Sequence, residues 1–201
     1  MFKQFVPFFL LSVGLAFFPA PGPAEDFSDL IKRCEICHGQ NGNSGLPMFP
    51  SIAGFSYEGF LYAIDVYRED RRIAAEFQQA NAPETVMNNI GQQLSDADAE
   101  ALANYFSKRK YIPRSQPFDP ELASRGAILH EDHCERCHEQ NGAAAGDEVA
   151  PLAGQWTLYL RMQFDNIRSG KRIVSRRMLN RFKKLNQEDI EALLNFYASI
   201  N

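Results

Sequence analysis

The sequence predicts an all-α protein made of two tandem domains related by internal duplication. Three observations predict it. First, Cys34-Glu-Ile-Cys-His-Gly-Gln-Asn-Gly42 and Cys134-Glu-Arg-Cys-His-Glu-Gln-Asn-Gly142 agree at seven of nine positions. The register holds at an offset of 100 through Ala53-Gly54/Ala153-Gly154, Asp65/Asp165, Arg68/Arg168 and Arg72-Ile73/Arg172-Ile173, the mark of a repeat. Second, apolar residues recur at helical spacing, with no convincing period-2 alternation. Third, each copy closes with the same helix-start signal, Ser95-x-x-Asp98 and Asn186-x-x-Asp189, in which a cap side chain and the residue three positions on satisfy each other's backbone.

Taken in chain order, residues 1–24 carry Lys3, an apolar run from Phe5 to Phe18 and the small-residue stretch Pro19 to Ala24. This predicts a secretory signal cleaved near Ala24 and an exported, periplasmic chain, with an uncleaved anchor as the alternative. No membrane span is expected in the mature chain. The first domain spans 25–106, with Tyr57, Phe60, Leu61, Ile64 and Tyr67 on one helical face. From Ile73 to Met87 it has nine residues more than the matching Ile173 to Met178. Beyond them the offset is 91, which sets Leu94 on Leu185 and Asn104-Tyr-Phe106 on Asn195-Phe-Tyr197. Pro113, Pro117 and Pro120 forbid a continuous helix through 107–120, which reads as the interdomain linker. In the second domain, 121–201, Trp156, Leu160, Phe164 and Ile167 share a face. A duplication joined by a short linker predicts packing about an approximate two-fold axis.

Composition excludes coiled-coil, collagen-like and disordered chains, since 45% of the residues are hydrophobic and 12% aromatic. A net charge of -4 gives no sign of bulk nucleic-acid binding. The charge is unevenly placed. From residue 25 to Ile112 there are 13 acids and 8 bases, net -5, whereas the remainder has 12 of each, net 0. Arg168, Lys171, Arg172, Arg176, Arg177, Arg181, Lys183 and Lys184 form a run of eight cations without an acid among them. Surrounding Met178, the run should rim one face of the second domain, either as a solvated basic surface or as a docking site for an acidic redox partner.

Four cysteines in an exported chain would ordinarily suggest two disulfides. Their spacing points elsewhere. Cys34-x-x-Cys37-His38 and Cys134-x-x-Cys137-His138 use every cysteine, and C-x-x-C-H is the attachment signature of c-type haem. Two thiols one helical turn apart add to the two porphyrin vinyl groups, and the adjacent imidazole becomes an axial iron ligand. Two covalently bound haem c groups are therefore expected. Each domain is small enough that an apolar core alone is marginal, so the polypeptide without haem should fold poorly.

The sixth ligand separates an electron-carrying haem from a catalytic one. Met87 and Met178 each stand seven residues before the leucine that opens the last helix, and this matched register assigns them as axial ligands with His38 and His138. His/Met ligation fills the iron and raises its potential. Met48 and Met162 lack counterparts and read as loop and helix packing. Pro50 and Pro151 are placed to offer a carbonyl to the axial imidazoles or simply to shape their loops. His130 and His133, on the helix entering the second motif, read as solvated residues; they are also the only spare imidazoles for an unusual ligation.

The order C-x-x-C-H, then Pro50-x-x-Ala-Gly54 or Pro151-Leu-Ala-Gly154, a helix, a Met loop and an aromatic-rich last helix resembles class I cytochrome c. The duplication resembles the two-domain dihaem cytochromes of the c-four type. Tyr111-x-Pro-x-x-Gln-x-Phe-Asp119, Gly126-x-x-Leu-His130, Leu152-Ala-Gly-Gln-Trp-Thr-x-Tyr-Leu160 and Phe196-Tyr-Ala-Ser199 resemble the dihaem subunit of flavocytochrome c sulfide dehydrogenase. That resemblance implies an FAD-containing sulfide-oxidising flavoprotein as the electron donor. With no G-x-G-x-x-G after a strand, the flavin would sit on another chain. The resemblance also implies a close crossing of first and last helices at Gly126, but the first copy has Asp26 at that position. A free dihaem shuttle to a terminal oxidase and a catalytic dihaem enzyme are the other readings.

Overall fold

The computed structural model describes residues 26–74, 86–146 and 149–201; the expected signal segment lies outside them. Eight α-helices run through the described residues: α1 Phe27–His38, α2 Tyr57–Arg68, α3 Met87–Gln93, α4 Asp96–Ser107, α5 Pro120–His133, α6 Thr157–Arg168, α7 Arg176–Phe182 and α8 Gln187–Ser199. The described residues contain isolated bridges but no strand. The first four helices build one domain and the last four its duplicate.

Helix starts follow the local chemistry of the sequence. Asp26, Ser56 and Ser95 accept from backbone N–H groups in the first turns of α1, α2 and α4, removing orphan donors. The predicted reciprocal box is complete at α8, where Asp189 N donates to Asn186 Oδ1 at 2.9 Å and Asn186 N to Asp189 Oδ2 at 3.0 Å. At α4 the Ser95 hydroxyl instead donates to the Asp98 carboxylate.

One glycine carbonyl per domain closes the loop after the cysteine motif. Gly42 O accepts from Ile52 N at 2.7 Å and Ala53 N at 3.0 Å, and Gly142 O accepts from Leu152 N and Ala153 N at the same two distances. The following glycine then donates to the last helix, Gly54 N to Phe106 O and Gly154 N to Tyr197 O. Beneath these loops lie the cores. Leu30, Phe60, Ile64, Leu102 and Phe106 form the first; Leu160, Phe164, Ile190, Leu193 and Tyr197 belong to the second.

The helix faces differ from expectation at their edges. Tyr57 is exposed while Val66 is buried, and Trp156 caps α6 rather than belonging to it. Trp156 is held back because its indole Nε1 donates to Ser44 O of the first domain at 2.9 Å.

First and last helices cross differently in the two copies. In the second, a Cβ added to Gly126 would lie 2.1 Å from Ala192 O, so α5 and α8 touch through bare backbone. In the first, the equivalent Asp26 is the N-cap of α1. The described helix begins there, and its core contact is made by Leu30.

Equivalent residues meet across the domain interface. Arg72 bridges Arg172 antiparallel, with Ile73 N donating to Lys171 O at 2.8 Å and Ile173 N to Arg71 O at 2.7 Å. Ser56 Oγ donates to Gly146 O, as its counterpart Trp156 does to Ser44 O. Such reciprocal pairing is that of an approximate two-fold axis. One key breaks the symmetry: the buried Gln155 amide accepts from Ser51 N and donates to Ser51 O, both at 3.0 Å.

Between α4 and α5 the chain is extended and bonded on both sides. Asn43 accepts from Ile112 N and donates to Lys110 O. On the other side Tyr111 donates to Ala153 O, Arg114 N to Gly154 O, and the Gln116 amide bonds Gln155 and Thr157. Gly126→Ala is expected to cost about 2–3 kcal/mol through overpacking, more than Asp26→Ala, which only removes an exposed cap. Denaturant unfolding of the haem-loaded protein measures both.

Candidate haem sites

In the first domain the cysteine motif is the last turn of α1. Gly39 stops the helix with φ 74°, and any Cβ there would lie 2.2 Å from Asn43 O. Cys34, Cys37 and His38 are thereby presented from one turn. His38 is buried, and its Nδ1 lies 2.8 Å from Pro50 O. A carbonyl can only accept, so Nδ1 carries the proton and Nε2 is left with a free lone pair, the form in which an imidazole can bind a metal. Burial holds this imidazole below its usual range, partly offset by the Pro50 bond. Met87 opens α3, and both it and Cys34 pack against the first core.

The second domain departs from this pattern. Helix α5 ends at His133, so Cys134 to His138 lie in turns, with Cys134 N and Glu135 N both donating to His130 O. His138 Nδ1 is buried and has no hydrogen-bond partner among the described residues. The expected Pro151 carbonyl is not its acceptor, because the unwound motif alters how the imidazole is presented. Burial, then the charges of His130 and Arg172, bring His138 down to about 4. Met178 is the third residue of α7, its N–H accepted by the Ser175 hydroxyl. Both methionines therefore stand on short helices rather than on open loops.

A cavity of about 630 Å³ brings Cys134, Cys137, His138 and Met178 together, walled by apolar residues such as Leu160, Phe164 and Leu193. His133 also lines it, with its Nδ1 buried and unpartnered among the described residues. His130 does not fit the solvated reading. It is 1% exposed and bonded to Tyr197 and Glu135, because its side chain turns into the α5–α8 contact.

The cavity reaches the domain interface, where Arg72 and Arg172 line it. Arg72 Nε donates to Gln163 Oε1 at 3.0 Å and its other end bonds the Tyr159 hydroxyl; Arg172 donates to the same Gln163 oxygen. Neither pairs with a carboxylate among the described residues. Burial, then Arg72, lower Arg172 to about 10. A buried and a half-buried guanidinium without a counter-charge fit a ligand that brings carboxylates, as haem propionates do. Arg172 thus leaves the exposed basic run, while its other seven members remain exposed. The sequence signal for this pair was its exact recurrence in both copies.

A haem fits this cavity, whose lining combines thiols, an imidazole, a thioether donor, apolar side chains and cationic residues. Comparison with known proteins agrees. Residues 27–110 match the cytochrome c family model and residues 121–196 the model for cytochrome c oxidase, cbb3-type, subunit III. The chain is 31% identical over 202 residues to cytochrome c4 of Stutzerimonas stutzeri, covering 90% of this chain and 91% of that one. This chain belongs to the cytochrome c4 family. The crystal structure of reduced recombinant cytochrome c4 from Pseudomonas stutzeri superposes with a TM-score of 0.70 at 30% identity, covering 90% of this chain and all of the other. A relative from Thiomonas intermedia named thiosulfate dehydrogenase electron acceptor is 28% identical over 185 residues, with 85% of this chain and 80% of that one covered.

As a cytochrome c4-type protein, the chain is a dihaem electron-transfer protein. Each domain binds one haem c covalently, at the cysteine pairs 34/37 and 134/137. The haem iron supplies reversible one-electron chemistry. The polypeptide supplies the tether, the dry wall and the buried cations. Replacing Arg72 and Arg172 together by Met should lower the potential of at least one haem, since removing nearby positive charge favours the ferric form. Potentiometric titration checks this.

Proposed function

We propose that this cytochrome accepts single electrons in the periplasm from an FAD-containing, sulfide-oxidising flavoprotein. Its domains are taken as 25–106 and 121–201, after removal of a signal segment near Ala24. His38 and Met87 are the axial ligands of the first haem, and His138 and Met178 those of the second. What supports the donor assignment is where the resemblance to the sulfide dehydrogenase haem subunit falls. Tyr111, Gln116, Gln155, Trp156 and Thr157 carry it, and all five bond across the linker or the domain interface. They hold the two haem domains in one fixed relation, as an electron relay from a bound donor requires.

A second reading, acceptance from a thiosulfate dehydrogenase, is favoured by the similarity to the Thiomonas thiosulfate dehydrogenase electron acceptor. Stopped-flow reduction separates the two. Sulfide plus the flavoprotein should reduce both haems rapidly; rapid reduction only by thiosulfate with its dehydrogenase would establish the second reading.

The ligand assignment predicts that Met87→Ala and Met178→Ala each lower the potential of one haem while both stay attached. An unshifted titration in either variant would remove that methionine. The exposed cations around α7, Arg176, Arg177, Arg181, Lys183 and Lys184, should steer an acidic redox partner to the second haem. Lys183→Glu with Lys184→Glu is expected to slow electron exchange several-fold at low ionic strength and much less once salt screens the charges.

A further inference from the structure

The helix that opens with Met87 has little of its own to hold it. α3 is seven residues long, lacks a side-chain cap at Val86 and fully buries only Gly91, which has no side chain. Helices this short are marginal without outside support. Two polar residues supply that support. Arg68 of α2 reaches across, its Nε donating to Gly91 O at 2.8 Å and its Nη2 to Leu94 O at 2.7 Å, while Nη1 meets Asp65 and Asp96 at 3.2 and 2.9 Å. Asn88, the residue after Met87, accepts from Ala74 N at 2.9 Å. Its amide nitrogen lies 2.9 Å from Arg72 O, 3.1 Å from Tyr67 O and 2.8 Å from Asp70 Oδ1. Accepting a backbone N–H on one side and facing only oxygens on the other fixes which way this amide points.

The segment that Asn88 grips is itself anchored on the second domain. Ile73 N donates to Lys171 O, and Arg72 Nε to Gln163 Oε1. Asn88 thus ties the Met87 helix to backbone that the domain interface already holds.

The second copy secures its methionine helix by other means. Leu179 stands at the position of Asn88 and packs against the second core, and Phe182 stands at that of Gly91, buried with its ring 5.5 Å from that of Phe164. Arg168, the counterpart of Arg68, donates to Leu185 O at 3.3 Å and to the Gln187 side chain. The first domain has no room for such an aromatic wedge, since even a Cβ on Gly91 would lie 3.3 Å from Ile64 O and 3.4 Å from Arg68 Cγ. Close backbone approach there leaves the polar brace to do what packing does in the duplicate.

We propose that Asn88, seconded by Arg68, is a positioning residue for Met87: it holds the sixth-ligand thioether of the first haem in place by tying α3 to the 67–74 segment docked on the second domain. The inference rests on the ligand role proposed for Met87. Asn88 acts through the backbone it grips, and none of its bonds reaches α1, so its loss loosens the methionine side of the site and leaves Cys34, Cys37 and His38 as they are. The methionine then becomes easier to displace at the first haem alone.

Ferric dihaem protein mixed with imidazole, while the methionine–iron charge-transfer band is followed, tests the proposal. In Asn88→Leu, which installs the residue of the second copy, imidazole should displace methionine about tenfold faster at one haem, the effect of roughly one lost hydrogen bond, and at an unchanged rate at the other. Met87→Ala identifies that haem as the first. Arg68→Lys keeps the charge but not the fork that spans Gly91 and Leu94. It should act on the same haem in the same direction, and it reports the same hold if Asn88→Leu loses its fold. Asn89→Leu, an equal change at an exposed position of α3, should have no effect; an equal acceleration there overturns the specific role of Asn88. Unchanged rates in both Asn88→Leu and Arg68→Lys overturn the brace while the ligand reading stands. A band that survives intact in Met87→Ala overturns the ligand reading, and the brace with it.

Discussion

The carbonyl of one glycine in each domain, Gly42 O and Gly142 O, governs much of the rest of the architecture. By accepting two successive N–H groups it folds the chain after each cysteine motif back on itself. That return stroke sets Pro50 against the His38 imidazole, and it carries Ser44 and Ser51 to the positions where Trp156 and Gln155 bond them. It also delivers Gly54 and Gly154 to the last helix of their own domains. Haem pocket, helix packing and domain interface therefore share one local constraint. Because the acceptor is a backbone atom, duplication could preserve it while the side chains around it diverged.

The divergence is systematic. In the first copy the helix entering the motif meets the core through Leu30, the His38 imidazole has a carbonyl partner, and the helix that begins at Met87 carries no charged residue. The second copy places His130 in its core, leaves His138 Nδ1 unpartnered among the described residues, and surrounds Met178 with arginines. Equal potentials at the two haems would require these differences to cancel, since charge, donor strength and burial each act on the iron through its immediate shell.

How much was legible in the sequence depended on whether the signal was local. Helix starts were, because Ser95 and Asn186 act within four residues of themselves. Covalent spacing and duplicated register also single out the sets Cys34-His38-Met87 and Cys134-His138-Met178, and one cavity gathers the second of them. What escaped the reading depends on contacts between distant segments. Trp156 continues a helical face by periodicity, yet an acceptor 112 positions away draws it out of the helix. Arg172 belongs by sequence to an exposed run, but where it pairs with Arg72 it is half-buried. His130 looks solvated until α8 supplies Tyr197.

The stretch between α4 and α5 is bonded to both domains along its length, through Asn43 on one side and Gly154, Gln155 and Thr157 on the other. Such a strap cannot serve as a swivel. An acidic first half and a basic lobe beside Met178 are consequently fixed at a constant angle, and the molecule carries a permanent electric dipole. In the field of a charged partner a rigid dipole experiences a torque as well as an attraction. The cytochrome would therefore be turned before it is touched, and much of the orientational search would be completed while solvent still separates the two proteins.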